Sequence, residues 1–279
     1  MPSIRTIAAA LLLLAAIAAG GARASGDPGY AFAVVPQFSQ RQLFSIWNPI
    51  VEEVARRAGV RLNLITTLTV PEFERGLSHG SFDFAYANPY HILRESGRQG
   101  YIPLVRDDVP LNGILVVPRD SPLQSPRELD GRTLAVPSPN ALGASLLMQA
   151  DLEQVFHVRV KMLNVKTHSS VYLAVANGLA DAGGGVQKTL EERDDHVRAA
   201  LRILYTTRDM PSHPVAAHPR VPAKVRAAVR TALLELAGTP EGRSLLAKVP
   251  MTRPVAASID DYTPMRAWGL EKYWQDDVQ

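Results

Sequence analysis

The sequence predicts an α/β fold of two lobes, and three observations support that prediction. Short apolar runs alternate with segments of helical spacing along most of the chain, which is typical of α/β proteins with mostly parallel sheets. These strand–helix units are too numerous for a single regular sheet. Two lobes with a ligand cleft between them are the simpler arrangement. From residue 222 onwards the pattern is helical, with no strand evident after 214–218.

The predicted strands are short apolar or alternating runs bounded by turn residues. The run 30–36, YAFAVVP, has the composition of a buried strand, whereas 60–66, VRLNLIT, alternates. In chain order the predicted strands are 30–36, 60–66, 82–87, 101–105, 113–118, 133–137, 158–165, 180–186, 201–207 and 214–218.

Helical spacing and capping signals define the segments between the strands. Residues 43–59 place Leu43 and Val54 on one apolar face and stop at a glycine. Ser125 and Glu128 flank a proline as N-cap and N3 of a one-turn helix. The other predicted helices are 70–80, 89–97, 140–154, 169–178, 224–238, 240–249 and 260–274.

The composition is that of an ordinary globular protein. The 279 residues are 46% hydrophobic and 20% charged, with a net charge of +3 and no cysteine. This is enough for one large domain or two smaller ones. Without cysteine the chain forms no disulfide and offers no thiol to a metal or a lipid. Its small net charge leaves no basic surface for nucleic acid.

The first residues have the layout of a secretory signal peptide. Arg5 precedes an apolar stretch at 7–19, and Ala22-Arg23-Ala24 follows as a cleavage site. The alternative is a transmembrane anchor, but the stretch is short for a span of about 20 residues. Cleavage after Ala24 removes two arginines and no acid, which takes the net charge from +3 to +1. No later segment is suited to cross a bilayer, so we expect a protein of the periplasm.

Ligands of open α/β sheets bind beyond the carboxyl ends of the strands, so we examined the segments that follow them. The segment 138–145, SPNALGAS, opens a helix, and its small residues leave backbone N–H groups approachable for an anion. The alternative is a plain N-cap by Asn140 or Ser138. His168, Ser169 and Ser170 repeat the arrangement at the next helix start, where capping is again an alternative.

A second candidate follows the run 82–87, FDFAYA, which stops abruptly at Asn-Pro. Tyr86 and Asn88 are the contacts expected there. Tyr90 and His91 lie in the first turn of the next helix, where one of them is expected to pack instead of binding.

The sequence has no signature of a catalytic nucleophile, a metal or a cofactor. The G-x-S-x-G, P-loop and H-E-x-x-H patterns are absent. His213 and His218 are five residues apart with no acidic cluster beside them, which does not favour a metal. The glycines at 183–185 lack dinucleotide-binding spacing, and close approach of two backbones is the simpler explanation. We predict no cofactor, no metal and no catalytic residue.

Several segments resemble one known family. The stretch 120–145, DSPLQSPRELDGRTLAVPSPNALGAS, is similar to the opening of the second lobe in type 2 periplasmic binding proteins. FDFAYANPYH, GYIPLVRD and HSSVYLAVANGLADAGGG resemble the phosphate, phosphite and phosphonate branch, the phosphonate-binding-protein-like family. The likeness runs in order from about residue 30 to about 250.

The resemblance implies the solute-binding component of an ABC importer, which closes two α/β lobes on its ligand. The lobes would be joined by two hinge strands near 112–115 and 211–215. Lobe one would then comprise 25–112 and 216–279, and lobe two 113–215. The implied partners are a small anionic solute (phosphonate, phosphite or phosphate-like) and an inner-membrane permease, with no nucleic acid, and the protein would be a monomer.

The resemblance also assigns site residues on the second lobe. In phosphonate binders of this family a Ser-Thr-Ser run follows Pro-Asn and holds the phosphonate oxygens. Here Asn140 is followed by Ala141, Leu142 and Gly143, so the hydroxyls are missing, while the backbone amides remain and Ser145 lies one turn further on.

Three further positions match the family pattern in part. The family's histidine at the next helix start corresponds to His168, and its tyrosine after the FDFAY-type strand corresponds to Tyr86. An acidic residue before the last crossing, which often meets the amino group of an aminoalkylphosphonate, is His213 here. This replacement argues against such a ligand, and a histidine could instead pair with an extra negative charge.

Two other functions remain open from the sequence. A sensor component that feeds a membrane receptor kinase needs the same closing lobes as a transporter, so the chain alone does not separate the two. A periplasmic enzyme can share this fold, although the signal peptide and the missing nucleophile–base pair argue against it.

Overall fold

The structure is a computed structural model that describes residues 29–276, so the predicted signal peptide at 1–24 lies outside the described residues. Its strands closely follow the predicted runs, with one addition near the C-terminal end. The strands are β1 (Tyr30–Val34), β2 (Leu62–Thr66), β3 (Phe84–Tyr86), β4 (Ile102–Asp107), β5 (Gly113–Pro118), β6 (Thr133–Val136), β7 (Lys161–Asn164), β8 (Ala182–Val186), β9 (Leu201–Thr206), β10 (Val215–Ala217) and β11 (Pro254–Ala256).

The strands form two sheets, which confirms the predicted two-sheet α/β class. The first has the order β11-β4-β10-β3-β1-β2, and the second has the order β7-β6-β8-β5-β9. The prediction of mostly parallel sheets was wrong, because β1 and β6 pair in parallel with their neighbours while the remaining pairings are antiparallel. β5 and β10 are each the first strand after the chain has crossed from one sheet to the other. Both are antiparallel to their neighbours.

The helices cover the sheets, and most of them were predicted. The short α6 and α7 were missed. The predicted helix 260–274 is a series of 3₁₀ turns interrupted by Gly269, which has a φ of 69°. The helices are α1 (Gln40–Ala58), α2 (Val70–Ser78), α3 (Pro89–Arg98), α4 (Leu147–Gln154), α5 (His168–Ala176), α6 (Gln187–Glu191), α7 (Asp195–Ala199), α8 (Ala223–Leu236) and α9 (Pro240–Leu246).

Strand β5 shows how the second sheet is buried on both faces. Ile114 and Val116 pack into one apolar cluster, whereas Leu115 and Val117 pack into another. Successive side chains of a strand point to opposite faces, so this continuous apolar run fills two layers at once.

The chain passes between the sheets twice, at residues 108–112 (the first crossing) and 207–214 (the second crossing). Leu111 and Met210 hold the crossings together, because each backbone N–H donates to the carbonyl of the other at 2.9 Å. The two crossings therefore lie side by side at the base of the cleft.

The last described residues span both lobes. Tyr262, Met265 and Leu270 pack with Leu146 of the second lobe and with Tyr90 of the first. The segment therefore contacts both walls of the cleft, and not the first lobe alone.

Candidate functional site

A cavity lies between the two lobes, at the crossings. We call it the central cavity. It measures about 50 Å³, enough for a few water molecules or a small solute of similar bulk. Its lining comes from the ends of β1 and β3, from the segment after β6, from the start of α5 and from both crossings. None of its lining residues is an aspartate or a glutamate.

Helix starts supply backbone donors to this cavity. The chain after β6 enters a π-helical turn, Leu142–Leu146, that continues into α4. Among the described residues, the N–H groups of Leu142, Gly143 and Ala144 have no hydrogen-bond partner. These residues line the central cavity. Free N–H groups and the positive end of a helix dipole favour an anion.

The start of α5 also lies at this cavity. Thr167 caps the helix, because its hydroxyl accepts from the N–H of Ser170 at 3.0 Å. Thr167 and His168 both line the cavity. Lys166 lies beside them at the rim with a left-handed φ of 72°, and its side chain is the only cationic group of the lining.

Three buried histidines also line the cavity: His91, His168 and His213. In each ring, Nδ1 has no hydrogen-bond partner within residues 29–276. His213 Nε2 lies 3.3 Å from Nε2 of Gln37, an amide nitrogen that can only donate. His213 Nε2 therefore accepts, and the neutral ring carries its proton on Nδ1, where it is free to donate.

Burial keeps two of these rings neutral at pH 7. It lowers the pKa of His168 to about 4, with a further contribution from the nearby positive charge of Arg193. It lowers the pKa of His213 to about 3, and His91 and His168 act in the same direction. Neutral imidazoles can still donate one hydrogen bond each to an anion.

Glycines allow the turn Leu142–Leu146, which we call the donor turn, to lie directly on the second sheet. A Cβ atom at Gly184 would lie 1.9 Å from the carbonyl oxygen of Ala144, and one at Gly113 would lie 2.2 Å from that of Gly143. Glycine is thus required where β5 and β8 approach the turn. This confirms close backbone approach as the explanation of Gly184, whereas a Cβ at Gly183 or Gly185 would meet side chains of α5.

Replacing Gly184 with alanine is expected to lower the free energy of unfolding by about 1–3 kcal/mol, because the donor turn must shift to admit the methyl group. Chemical denaturation measures the change. Gly97→Ala is the matched control: that helical position has open space around it, so alanine should leave stability unchanged or raise it by up to about 1 kcal/mol. Equal effects of the two substitutions would contradict the tight packing.

The structure brings six of the residues predicted for the site to the central cavity and leaves five behind its wall. Those that line it come from both lobes and the second crossing: Asn88, Ala141, Leu142, Gly143, His168 and His213. Those that do not line it are Tyr86, Asn140, Ser145, Ser169 and Ser170.

Tyr86 lies behind His213. Its ring centroid is 5.4 Å from that of His213 and 4.5 Å from that of Trp47. Burial raises its pKa well above the usual range, and its hydroxyl has no partner among the described residues. Its position suits support of the histidine ring.

The hydroxyls of the second lobe serve their own backbone or a neighbouring side chain. Ser145 donates to the carbonyl of Ser138 at 2.5 Å. Ser169 accepts from Arg193, and Ser170 pairs with Thr167.

Asn140 links the lobes instead of lining the cavity. Its side-chain nitrogen donates to Glu74 of the first lobe at 3.0 Å and to the carbonyl of Gln275 at 2.8 Å. Its side-chain oxygen accepts from the N–H of Gln275 at 3.0 Å, and its carbonyl accepts from Asn88 at 3.3 Å. We call this set of bonds the Asn140 latch, because it ties the second lobe to the first lobe and to the C-terminal segment.

Sequence reasoning missed three lining residues that matter. Gln37 follows β1. The rule that ligands bind beyond strand ends selects the segment 36–39, which contains Gln37, but does not single out this residue. Ser138 was considered only as a helix cap, yet its hydroxyl is buried beside the cavity without a partner among the described residues. His91 was expected to be less important than Tyr86, yet it faces the cavity one turn beyond the N-cap Asn88.

The described part of the chain shows neither a metal site nor a membrane span. Within residues 29–276, no group of three or more histidine, cysteine or acidic residues could hold a metal ion. No helix in that range has the length and hydropathy needed to cross a membrane.

Comparisons with known proteins identify a family and a fold. Residues 32–262 match the family described as ABC transporter, phosphonate, periplasmic substrate-binding protein. No curated protein matches the chain.

Solved structures agree in architecture. A binding protein component of an ABC phosphonate transporter from Pseudomonas aeruginosa has a TM-score of 0.76 at 17% identity, covering 87% of this chain and 86% of that chain. A Prochlorococcus marinus protein in complex with methylphosphonate has a TM-score of 0.78 at 15% identity, covering 87% and 97%. A Xanthomonas citri protein bound to chloride ion has a TM-score of 0.70 at 18% identity, covering 88% and 98%. At such identities the likeness shows the two-lobed fold.

Proposed function

The chain belongs to the family of phosphonate periplasmic substrate-binding proteins of ABC transporters, and we propose that it captures a small phosphonate-like oxyanion in the central cavity. Phosphonate, phosphite and phosphate share the required chemistry. The two lobes close on the solute, and the loaded protein delivers it to a permease in the inner membrane.

One observation carries the proposal: the cavity is lined by hydrogen-bond donors and lacks carboxylates. Free backbone N–H groups of the donor turn and buried histidine rings with unpartnered Nδ1 atoms surround a small space. Buried polar groups are normally hydrogen-bonded, and a bound solute with several acceptor atoms would supply these groups with partners. A tetrahedral oxyanion accepts several such bonds at once.

The absence of carboxylates from the lining argues against a cationic solute. A buried ammonium group without an acidic partner is strongly unfavourable. An oxyanion, in contrast, meets helix ends, imidazole donors and the cation of Lys166 at the rim.

Isothermal titration calorimetry with phosphate, phosphite, methylphosphonate and 2-aminoethylphosphonate tests the proposal. We expect saturable heat with at least one of the first three. No heat with any of the four would overturn the proposal.

Replacing His168 with alanine is expected to weaken binding by at least tenfold, about 1.5 kcal/mol, because the ring donates to the anion. The control is His196→Ala, which removes an exposed histidine of α7 on the same lobe and should leave affinity unchanged. Unchanged affinity in His168→Ala would mean that the residue serves only the start of α5.

The cellular part of the proposal is export, with residues 1–24 removed, and function as a monomer in the periplasm. N-terminal sequencing of the protein from a periplasmic extract tests the cleavage. Measurement of solute uptake in cells that lack the protein separates transport from a role in signalling. Loss of uptake supports transport, whereas unchanged uptake supports signalling.

A further inference from the structure

A second space, which we call the outer chamber, adjoins the central cavity beside the crossings. It measures about 330 Å³ and shares four lining residues with the central cavity: Gln37, Leu111, Val186 and His213. Its other walls come from the first crossing, from α6 and from the chain that follows α9. The two spaces therefore adjoin the same four side chains, and a solute whose oxyanion occupies the central cavity would reach the outer chamber by displacing them.

The acidic groups of the outer chamber are already engaged. Asp107 is buried and accepts from the backbone N–H groups of Val109, Thr252 and Arg253 at 3.2, 2.7 and 2.9 Å. It also accepts from the Thr252 hydroxyl at 3.3 Å.

The acids of α6 and its C-terminal end also have partners. Glu191 accepts from Gln187 at 2.9 Å, and Glu192 pairs with Lys188 at 3.8 Å. A cationic substituent would therefore compete with existing partners for every carboxylate in the chamber.

Apolar side chains make up much of the remaining wall. Val109 and Pro110 of the first crossing line the chamber together with Val249 of the first lobe, and Lys248 is its second cation beside Lys188. The side chains of Gln37 and His213 line both spaces and lie in hydrogen-bond contact at 3.3 Å, so a substituent enters the outer chamber only by separating them. The path from one space to the other carries no charge. The apolar lining consists chiefly of Phe38, Val109, Pro110, Leu111, Val186 and Val249.

Resting on the function proposed above, we infer that the outer chamber holds an uncharged, apolar substituent of the same solute. The ligand class is then an alkyl- or arylphosphonate larger than methylphosphonate. An aminoalkylphosphonate fits less well, because its ammonium group would enter an apolar space whose carboxylates are occupied.

Calorimetry with three ligands tests the inference: methylphosphonate, n-propylphosphonate and 2-aminoethylphosphonate. The last two have nearly the same size and differ in a terminal methyl or ammonium group. We expect n-propylphosphonate to bind about tenfold more tightly than methylphosphonate, because two more carbon atoms leave water. We expect 2-aminoethylphosphonate to bind more weakly than n-propylphosphonate by at least tenfold.

The outcomes distinguish the two proposals. If methylphosphonate binds while n-propylphosphonate gains nothing or binds no better than the amine, the inference is overturned and the proposed function stands. If none of the three binds while phosphate or phosphite does, the inference is overturned and the proposed function stands. If phosphate and phosphite also fail to bind, both are overturned. The variant Val109→Trp fills the outer chamber from a partly exposed position. It should reduce the ratio of n-propyl to methyl affinity to about one, and a ratio as high as that of the wild type would also overturn the inference.

Discussion

Replacing Asn140 with alanine is expected to lower the free energy of unfolding by about 3 kcal/mol and to weaken solute binding by at least tenfold. The side chain is completely buried and makes three hydrogen bonds, two of them to the backbone of Gln275 and one to Glu74. Its loss removes three hydrogen bonds made by a completely buried side chain to the partly buried Glu74 and the exposed Gln275. Each such bond contributes about 1 kcal/mol to stability.

The loss of affinity follows from the position of the Asn140 latch. Asn140 does not line the central cavity, so its removal takes no contact from the solute. It removes bonds that join the lobes, and the closed form that binds the solute becomes a smaller fraction of the population. The apparent dissociation constant rises in proportion to that loss.

A double-mutant cycle distinguishes this mechanism from direct contact. Truncation after Tyr273 removes Gln275, the partner of two of the three bonds. If the latch acts as one unit, the truncation and Asn140→Ala weaken binding non-additively. Full additivity of the two effects, with affinity measured by calorimetry, would contradict the latch. We expect the dissociation rate to rise in both variants, because a less stable closed form releases its solute sooner.

Asn140 also shows what the sequence could not provide. Its position after a strand made it a reasonable ligand contact, and local reasoning about helix starts correctly located the donor turn that follows it. The partner that occupies its side chain, Gln275, lies 135 residues further along the chain. No periodicity or capping rule connects two such segments, because the contact is made only in the folded tertiary structure.

The strands were the most predictable part of the fold, since each is a short apolar run with turn residues at both ends. The missed strand β11 has three residues and is not fully buried. It forms an edge strand by pairing with β4. This pairing is a tertiary contact, and the sequence of β11 has no strand pattern of its own. The error in sheet direction has a similar origin, because the direction of β5 and β10 depends on the crossings and not on local sequence.

Acid should destabilise the solute-free protein strongly, by on the order of 6 kcal/mol between pH 6.5 and pH 4. Burial lowers the pKa of His168 to about 4 and that of His213 to about 3, whereas both have a pKa near 6.5 in the unfolded chain. Below pH 6.5 the unfolded chain binds protons that the folded protein does not. Stability is therefore greatest above pH 6.5 and falls as the pH is lowered, by up to about 1.4 kcal/mol per pH unit for each ring.

The variant with His168→Gln and His213→Gln isolates this contribution. Denaturant unfolding between pH 7.5 and pH 4 should show a much smaller loss in the variant, because other groups titrate equally in both proteins. The exposed-site control His196→Gln should follow the wild-type curve. Parallel curves for the double variant and the wild type would contradict the buried neutral rings.

A saturating phosphonate should reduce the acid loss of the wild type. The bound anion offers each imidazolium a partner that the empty cavity lacks, where Arg193 and Lys166 add only positive charge nearby. Protonation and solute binding then favour one another, so the stabilisation by solute should grow as the pH falls from 6.5 toward 4. In the variant with His168→Gln and His213→Gln, the stabilisation by the same solute should not grow as the pH falls. This result would assign the coupling between protonation and binding to the two histidines.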